Sequence, residues 1–176
     1  MKHSPVFLRI LALVLIPVSF TACSRDPGAR KQKFFASGQQ YFTQGKYPEA
    51  AIQFSNAIDV DPRFAEAHYQ LAQTDLKLRA WNLAFQELTR TVEIQPENYS
   101  AHIDLAKLFV SGRDFKRAQE EIDLLLAKQP DNPQVHLAAA DLFGAQNNLN
   151  AAMQESQKAI ALDSNRPESY LALALL

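Results

Sequence analysis

The stretch from Tyr47 to Pro62 reads YPEAAIQFSNAIDVDP, and it returns three more times at a fixed offset of 34 residues. The second copy is WNLAFQELTRTVEIQP, the third is FKRAQEEIDLLLAKQP, and a weaker fourth is LNAAMQESQKAIALDS. An alanine stands three residues after the start of every copy, and a proline ends the first three. Self-similarity at this period is typical of stacked helix-turn-helix units. The sequence therefore predicts a protein built from repeated pairs of helices.

A second helix-forming stretch with its own fixed pattern precedes each copy. Small residues recur where two helices would meet, and large residues recur between them, so paired helices can approach to about 8 to 10 Å. In the first unit the patterned positions are Phe34, Ser37, Gly38, Tyr41, Ala50, Phe54, Ala57 and Pro62. This pattern and its period resemble the tetratricopeptide repeat family.

The resemblance implies an all-α fold, namely a right-handed superhelical solenoid with four complete helix pairs and the first helix of a fifth. The repeat domain covers residues 31–176. Its units span about 31–64, 65–98, 99–132 and 133–166, followed by a partial unit at 167–176. Gly45, Gly112 and Asn147 are predicted to lie in the turns within units.

The first 22 residues have a different composition from the repeats. Lys2 and Arg9 precede an uncharged run from Ile10 to Cys23, and this order is typical of an export signal. The run has 14 residues. It would reach about 21 Å as a helix, which is too short for a hydrocarbon core of about 30 Å. A lasting transmembrane helix is therefore not predicted.

The only cysteine follows this run in the sequence Phe20-Thr21-Ala22-Cys23. This sequence resembles the lipobox of bacterial lipoproteins. The resemblance implies a lipoprotein signal peptide at residues 1–22, lipidation of Cys23 by a diacylglycerol group and a further acyl chain such as palmitate, and a tether at residues 23–30. The alternative is a free thiol near an ordinary cleavage site.

The anchor implies a location in the bacterial cell envelope, with the repeats in the periplasm and the membrane reached only through lipid. Ser24 after the cysteine favours the outer membrane over the inner membrane. The polar residues from Ser24 to Arg30 include a proline and a glycine, so an irregular, solvated tether is predicted.

Several function classes receive no support from the sequence. The formal net charge is −1, and no basic domain indicates a nucleic-acid partner. The chain lacks a glycine-rich phosphate loop, a nucleophile elbow and a metal-ligand pair at helical spacing. No catalytic residue, cofactor or metal is therefore predicted, and the protein is not expected to be an enzyme.

Three histidines recur with the repeat, at His68, His102 and His136. Equivalent residues of adjacent units lie about 10 Å apart, whereas each ligand of a zinc ion lies about 2 Å from the metal. We therefore predict that these histidines pack in the core. Glu87 and Glu121 are predicted to lie on solvated helix faces.

The family resemblance also implies a concave groove, lined mainly by the first helix of each unit, that holds a protein or peptide partner. The row Phe35, Tyr69, Ile103 and Leu137 is apolar and suits a hydrophobic or extended peptide. The alternative is that these side chains pack on neighbouring helices. The predicted groove residues are Phe35, Gln39, Phe42, Glu66, Tyr69, Gln73, Lys77, Ile103, Lys107, Leu137 and Asp141.

Two functions follow from this interpretation. The first is a non-enzymatic protein-protein interaction scaffold of the cell envelope that binds its partner in the groove. The alternative is a structural assembly factor for an envelope complex, such as an exopolysaccharide export or protein-sorting system, that uses other faces of the solenoid.

The C-terminal residues begin a fifth unit, with Tyr170, Leu173 and Ala174 in packing positions. Solenoids need a terminal helix with a polar outer face, whereas this helix is rich in leucine. We therefore expect self-association through this edge, or, alternatively, a longer protein in which the missing helix follows residue 176.

Overall fold

The computed structural model describes residues 26–174, and this part of the chain forms nine α-helices and no strand. The lipidation site predicted at Cys23 lies outside the described residues. The helices are α1 (Pro27–Thr43), α2 (Tyr47–Val60), α3 (Ala65–Lys77), α4 (Trp81–Ile94), α5 (Tyr99–Ser111), α6 (Phe115–Lys128), α7 (Pro133–Ala145), α8 (Leu149–Leu162) and α9 (Pro167–Ala174).

Each helix packs against the next one along the chain, from α1 to α9. Contacts between helices more distant in sequence mostly join first helices of successive units, as between α5 and α7. This nearest-neighbour arrangement is that of a helical repeat solenoid, as the 34-residue period predicted. Within residues 26–174, no helix is long and apolar enough to cross a membrane.

The start of α1 differs from the sequence prediction. The tether was expected to stay irregular as far as Arg30, but α1 begins at Pro27. Both carboxylate oxygens of Asp26 accept hydrogen bonds from the backbone, at 3.0 Å from Gly28 N and 3.2 Å from Ala29 N. An acidic cap followed by proline at the first helical position favours a helix start. The predicted tether is therefore shorter than residues 23–30.

The helices of a pair meet where a small residue faces a large one. Gly38 of α1 is buried against the ring of Phe54 in α2, and a β-carbon placed on Gly38 would lie 2.6 Å from Phe54 Cε1. In the second unit Ala72 and Leu88 occupy the equivalent places and belong to one buried cluster. That cluster continues through α5 and α6 into α7, so the central units share one core.

The turns within units each contain one residue in the left-handed region. These residues are Gly45, Arg79, Arg113 and Asn147, with φ between 59° and 73°. The predicted turns at Gly45 and Asn147 are confirmed. In the third unit the left-handed residue is Arg113 and not the adjacent Gly112, whose φ is −80°.

A recurring group of three residues, which we call the His–Glu clasp, joins successive units. In the first clasp His68 Nδ1 lies 2.6 Å from Glu87 Oε2, and His68 Nε2 donates to the carbonyl of Pro62 at 3.2 Å. The other two clasps consist of His102 with Glu121 and Pro96, and of His136 with Glu155 and Pro130.

The clasps explain why the histidines are buried, and they correct the prediction for two glutamates. A carbonyl can only accept a hydrogen bond, so Nε2 must carry a proton, and a second proton must lie between Nδ1 and the carboxylate. Hydrogen bonding to Glu121 accordingly raises the pKa of His102 above its ordinary value. The packing role of the histidines is confirmed. The prediction that Glu87 and Glu121 lie on solvated faces is wrong, because both side chains contact a buried ring.

The last joint differs from the other three. Tyr170 occupies the place of the clasp histidine, and its hydroxyl donates to the carbonyl of Ser164 at 3.1 Å. Tyr170 stands in a packing position of the repeat, but 49% of this residue is exposed. In the other units a following second helix covers the histidine, and the described residues contain no such helix after α9.

Candidate binding surface

First helices of successive units form a common inner face. Side chains of α3 and α5 are joined by hydrogen bonds, α5 contacts α7, and α7 contacts α9. Second helices of the described chain do not pack against one another in this way. The predicted groove residues all lie on first helices, namely α1, α3, α5 and α7.

The inner face contains a pocket of about 390 Å³ where α5, α7 and α9 meet. Three predicted groove residues, Lys107, Leu137 and Asp141, line this pocket together. Leu137 is half-buried, whereas the two charged residues are exposed. The other lining residues are Gln134, Arg166, Glu168, Leu171 and Ala172.

The pocket combines charges of both signs with apolar surface. Lys107 and Arg166 supply the positive charges, and Asp141 and Glu168 supply the negative charges. Arg166 is oriented by a hydrogen bond from its Nε to Asp163 Oδ2 at 3.2 Å. Such a surface can bind a peptide by contacts with side chains of either charge and with an apolar side chain at the centre.

Sequence analysis did not extend the groove to Glu168 and Leu171, although the period contains the signal. Glu168 stands 102 residues, or three periods, after Glu66, and Leu171 stands three periods after Tyr69. Leu171 is exposed, with 58% of its surface accessible. The partial fifth unit therefore contributes to the inner face at the same positions as the complete units.

Nearer the N-terminus, the inner face is closed by a polar network. Asp104 Oδ2 accepts hydrogen bonds from Gln73 Nε2 at 2.6 Å and from the Tyr69 hydroxyl at 3.2 Å. Burial, followed by the charge of Asp104, raises the pKa of Tyr69, so the phenol keeps its proton and donates. Burial also raises the pKa of Asp104. Sequence reasoning did not include Asp104 among the groove residues. Its carboxylate accepts hydrogen bonds from two predicted groove side chains, Tyr69 and Gln73.

The apolar row predicted along the groove is only partly accessible to a ligand. Ile103 is 3% exposed, because it packs against Leu125, Val135 and Ala138 where α7 crosses it. Its predicted ligand contact is therefore corrected to core packing. Phe35 is half-buried, and its ring centroid lies 5.7 Å from that of Phe54.

The remaining predicted groove residues are distributed along α1 and α3. Gln39, Glu66 and Lys77 are exposed, and they stay available to a ligand. Phe42 is half-buried, and its ring meets that of Tyr47 edge to face with a centroid distance of 5.4 Å. The structure thus places these residues on the first two of the first helices.

Comparison with known families agrees with this geometry. A family model described as TPR repeat matches residues 38–78, and a second one described as Tetratricopeptide repeat matches residues 79–142. The two matches are contiguous and together cover residues 38–142. The chain belongs to the tetratricopeptide repeat family. No curated protein sequence matches this tetratricopeptide protein.

Solved structures of other tetratricopeptide proteins share the fold. MamA from Desulfovibrio magneticus RS-1 has a TM-score of 0.74 at 15% identity, over 85% of this chain and 85% of that chain. A thermophilic TPR protein from Thermus thermophilus has a TM-score of 0.71 at 24% identity, over 82% and 80% of the two chains. YrrB, described as a TPR protein with an unusual peptide-binding site, has a TM-score of 0.71 at 19% identity, over 81% and 73%. At these identities the likeness concerns the fold.

Residues 26–174 contain no group of three or more His, Cys, Asp or Glu side chains arranged to hold a metal ion. In the clasps, both ring nitrogens of each histidine are hydrogen-bonded.

Proposed function

We propose that this tetratricopeptide protein is a non-enzymatic scaffold that binds a peptide segment of a partner protein on its inner face. The observation that supports this proposal is the pocket formed by α5, α7 and α9, which collects charged and apolar residues from three successive first helices. Because the pocket is recessed and has charges of both signs, it suits a short extended segment with an apolar residue flanked by polar ones.

The residues of the pocket have separate roles in this proposal. Leu137 and Leu171 contact the apolar side chain of the segment, and Lys107 and Arg166 bind carboxylates on it. Asp141 and Glu168 bind basic side chains or backbone N–H groups. The description of YrrB as a tetratricopeptide protein with an unusual peptide-binding site supports peptide recognition as an activity that this fold can carry.

The proposal is tested by photo-crosslinking inside cells of the source organism. A photoreactive phenylalanine analogue at Leu171 should form an adduct with the partner, and Lys107→Glu should reduce its yield. Ile52 is the matched control, because it is 59% exposed against 58% for Leu171 and lies on α2, away from the pocket. An adduct at Ile52 alone would place the binding site elsewhere.

We further propose that the protein acts in the bacterial cell envelope, anchored by lipid on Cys23 with its repeats in the periplasm. The support is the sequence around Cys23, which ends an apolar run and resembles a lipobox. Two acyl chains or more give stable attachment, because each buried methylene adds about 0.8 kcal/mol.

The anchor has its own experiment. Cys23→Ser should release the protein from the membrane fraction or leave the signal uncleaved, and Ser24→Ala should not. Mass spectrometry of the parent should show a processed chain that carries acyl groups. Equal membrane fractionation and equal mass of the parent and the Cys23→Ser variant would contradict lipidation.

A further inference from the structure

The two edges of the solenoid differ in charge. Short turns make neighbouring helices antiparallel, so all turns within units lie along one edge and all turns between units lie along the other. The first edge, which we call the basic edge, comprises residues 43–49, 77–83, 111–117 and 145–151. It holds six basic and two acidic residues, a net charge of +4. The opposite edge comprises residues 60–67, 94–101, 128–135 and 162–169 and holds three basic and six acidic residues.

A pocket of about 560 Å³ lies on the basic edge, between the second and third units. Phe85, Leu108 and Phe109 give it an apolar lining, and Trp81 lies beside them with 54% of its surface exposed. Leu78, in the turn before Trp81, is 41% exposed. Large exposed apolar side chains around a recess indicate a binding site more than an ordinary surface does.

A positively charged side chain, that of Arg117, lies at this pocket. The guanidinium of Arg117 lies 4.5 Å from the ring centroid of Phe109, and its Nε bonds Asp114 Oδ2 at 2.6 Å. Among the described residues, Asp114 is the only carboxylate that lines the pocket, and it is already engaged by Arg117. Further carboxylates at this place would have to come from a ligand.

Two further arginines on the same edge have a left-handed backbone conformation. Arg79 and Arg113 both have φ of 59°, in the region that glycine adopts without a steric cost. The first unit has Gly45 at the equivalent position. Arg79 stands two residues before Trp81, and Arg113 stands between Gly112 and Asp114, and these three neighbours line the pocket.

We infer that the basic edge around Trp81 binds an acidic segment of a partner protein, with one large apolar side chain in the pocket and carboxylates beside Arg79, Arg113 and Arg117. A recess between two units suits a protruding side chain, whereas a lipid surface is flat. Moreover, α1 begins at the opposite edge, and its 17 residues span about 26 Å. A membrane anchor before α1 would thus hold the basic edge away from the bilayer.

The pocket at Trp81 is separate from the inner face, although the basic edge shares Lys77 with the predicted groove. None of the residues that line the pocket at Trp81 belongs to the predicted groove or to the pocket between α5, α7 and α9. The two sites are therefore tested independently, and a failure of one leaves the other unaffected.

Trp81 is the only tryptophan of the chain, so its fluorescence reports on this pocket alone. The probe is a synthetic peptide in which Asp and Glu flank one central Phe, added to the full chain in neutral detergent micelles. We expect a saturable change in Trp81 emission whose apparent Kd rises with salt. A peptide with Lys in place of Asp and Glu should cause no saturable change.

Variants at the left-handed positions separate binding from folding. Replacing Arg79 and Arg113 together by glycine relieves strain and removes two cations, so the peptide should bind about fivefold more weakly while the chain unfolds no more easily. Asn147→Gly is the matched control, because it makes the same backbone change in a turn without charge. The affinity of the Asn147→Gly variant for the peptide should equal that of the parent.

Three results would overturn the inference. The first is no saturable response to the acidic peptide, and the second is equal affinity of the parent and the double glycine variant. The third is a Trp81 response to micelles containing phosphatidylglycerol but not to the peptide, because that would assign the edge to anionic lipid. Phosphatidylcholine micelles are the control for this last measurement.

Discussion

Asp75 is a buried carboxyl group at a position that holds an aromatic ring in the other complete units. Tyr41, Phe109 and Phe143 occupy the equivalent places. Asp75 is 5% exposed, and burial, followed by the charge of Glu87, raises its pKa from 3.8 to about 6. The folded state therefore prefers the protonated acid.

Asp75→Asn should stabilise the protein at neutral pH but not in acid. The protonated Asp75 favours folding below pH 3.8, and this contribution is lost as the pH rises through about 6. We expect the variant to gain about 1 to 3 kcal/mol of unfolding free energy at pH 7 and little at about pH 4. Urea unfolding at both pH values measures the difference. An equal gain at the two values would show that ionisation of Asp75 is not its cause.

Asp75 shows which properties of a residue the sequence does not reveal. The pattern places Asp75 on the packing face of α3, but its ionisation depends on Glu87, which lies on another helix. The clasps were missed for the same reason. Each His and its Glu are 19 residues apart, a separation that no helical periodicity joins.

At the scale of helix pairs, the fit of Gly38 against Phe54 gives a second prediction. Gly38→Ala places a methyl group against the Phe54 ring, and the cost of about 1 to 3 kcal/mol should exceed the gain of about 1 kcal/mol from better helix propensity. Circular dichroism during urea unfolding should show a net loss of stability.

The double variant Gly38→Ala with Phe54→Leu tests the cause of that loss. It reproduces the pairing of Ala72 with Leu88, which the second unit buries completely. Phe54→Leu alone leaves a void, and the new methyl group fills part of it, so the two losses should be less than additive. Strict additivity would mean that the two side chains do not oppose each other.

Helices and their order could be predicted well from the sequence, because proline, glycine and the 34-residue period mark their ends. The residue at which α1 begins could not be predicted, because Asp26 and Pro27 precede the first repeat unit and no earlier unit provides a comparison. The turns were predicted in position but not in conformation. Gly112 lies in its turn as predicted, but the left-handed residue of that turn is Arg113.

For the whole molecule, nearest-neighbour packing predicts that stability varies along the solenoid. The largest buried cluster joins α3 through α7, whereas α9 buries only Ser169. Backbone amides should therefore exchange slowest in α5 and fastest in α9, as measured by hydrogen-deuterium exchange mass spectrometry. Protection of α9 equal to that of α5 would indicate a contact that covers α9.

The candidate site shows the same division between what periodicity reveals and what it does not. The residues that the resemblance assigns to the groove lie on first helices, and the structure brings Lys107, Leu137 and Asp141 together in one pocket. It does not reveal that α7 buries Ile103 or that Asp104 engages Tyr69 and Gln73. Those outcomes depend on how closely adjacent units approach, and this distance is set by side chains that differ from unit to unit.

The joints between units also determine how the molecule responds to force. Each of the first three is fixed by a ring with two polar atoms, one bonded to the preceding turn and the other to a carboxylate on the next helix. The fourth has the single hydroxyl of Tyr170 on the equivalent carbonyl. When the described chain is pulled along its axis, we expect its first three joints to resist extension more strongly than the fourth. The fourth joint, between α8 and α9, should therefore extend first.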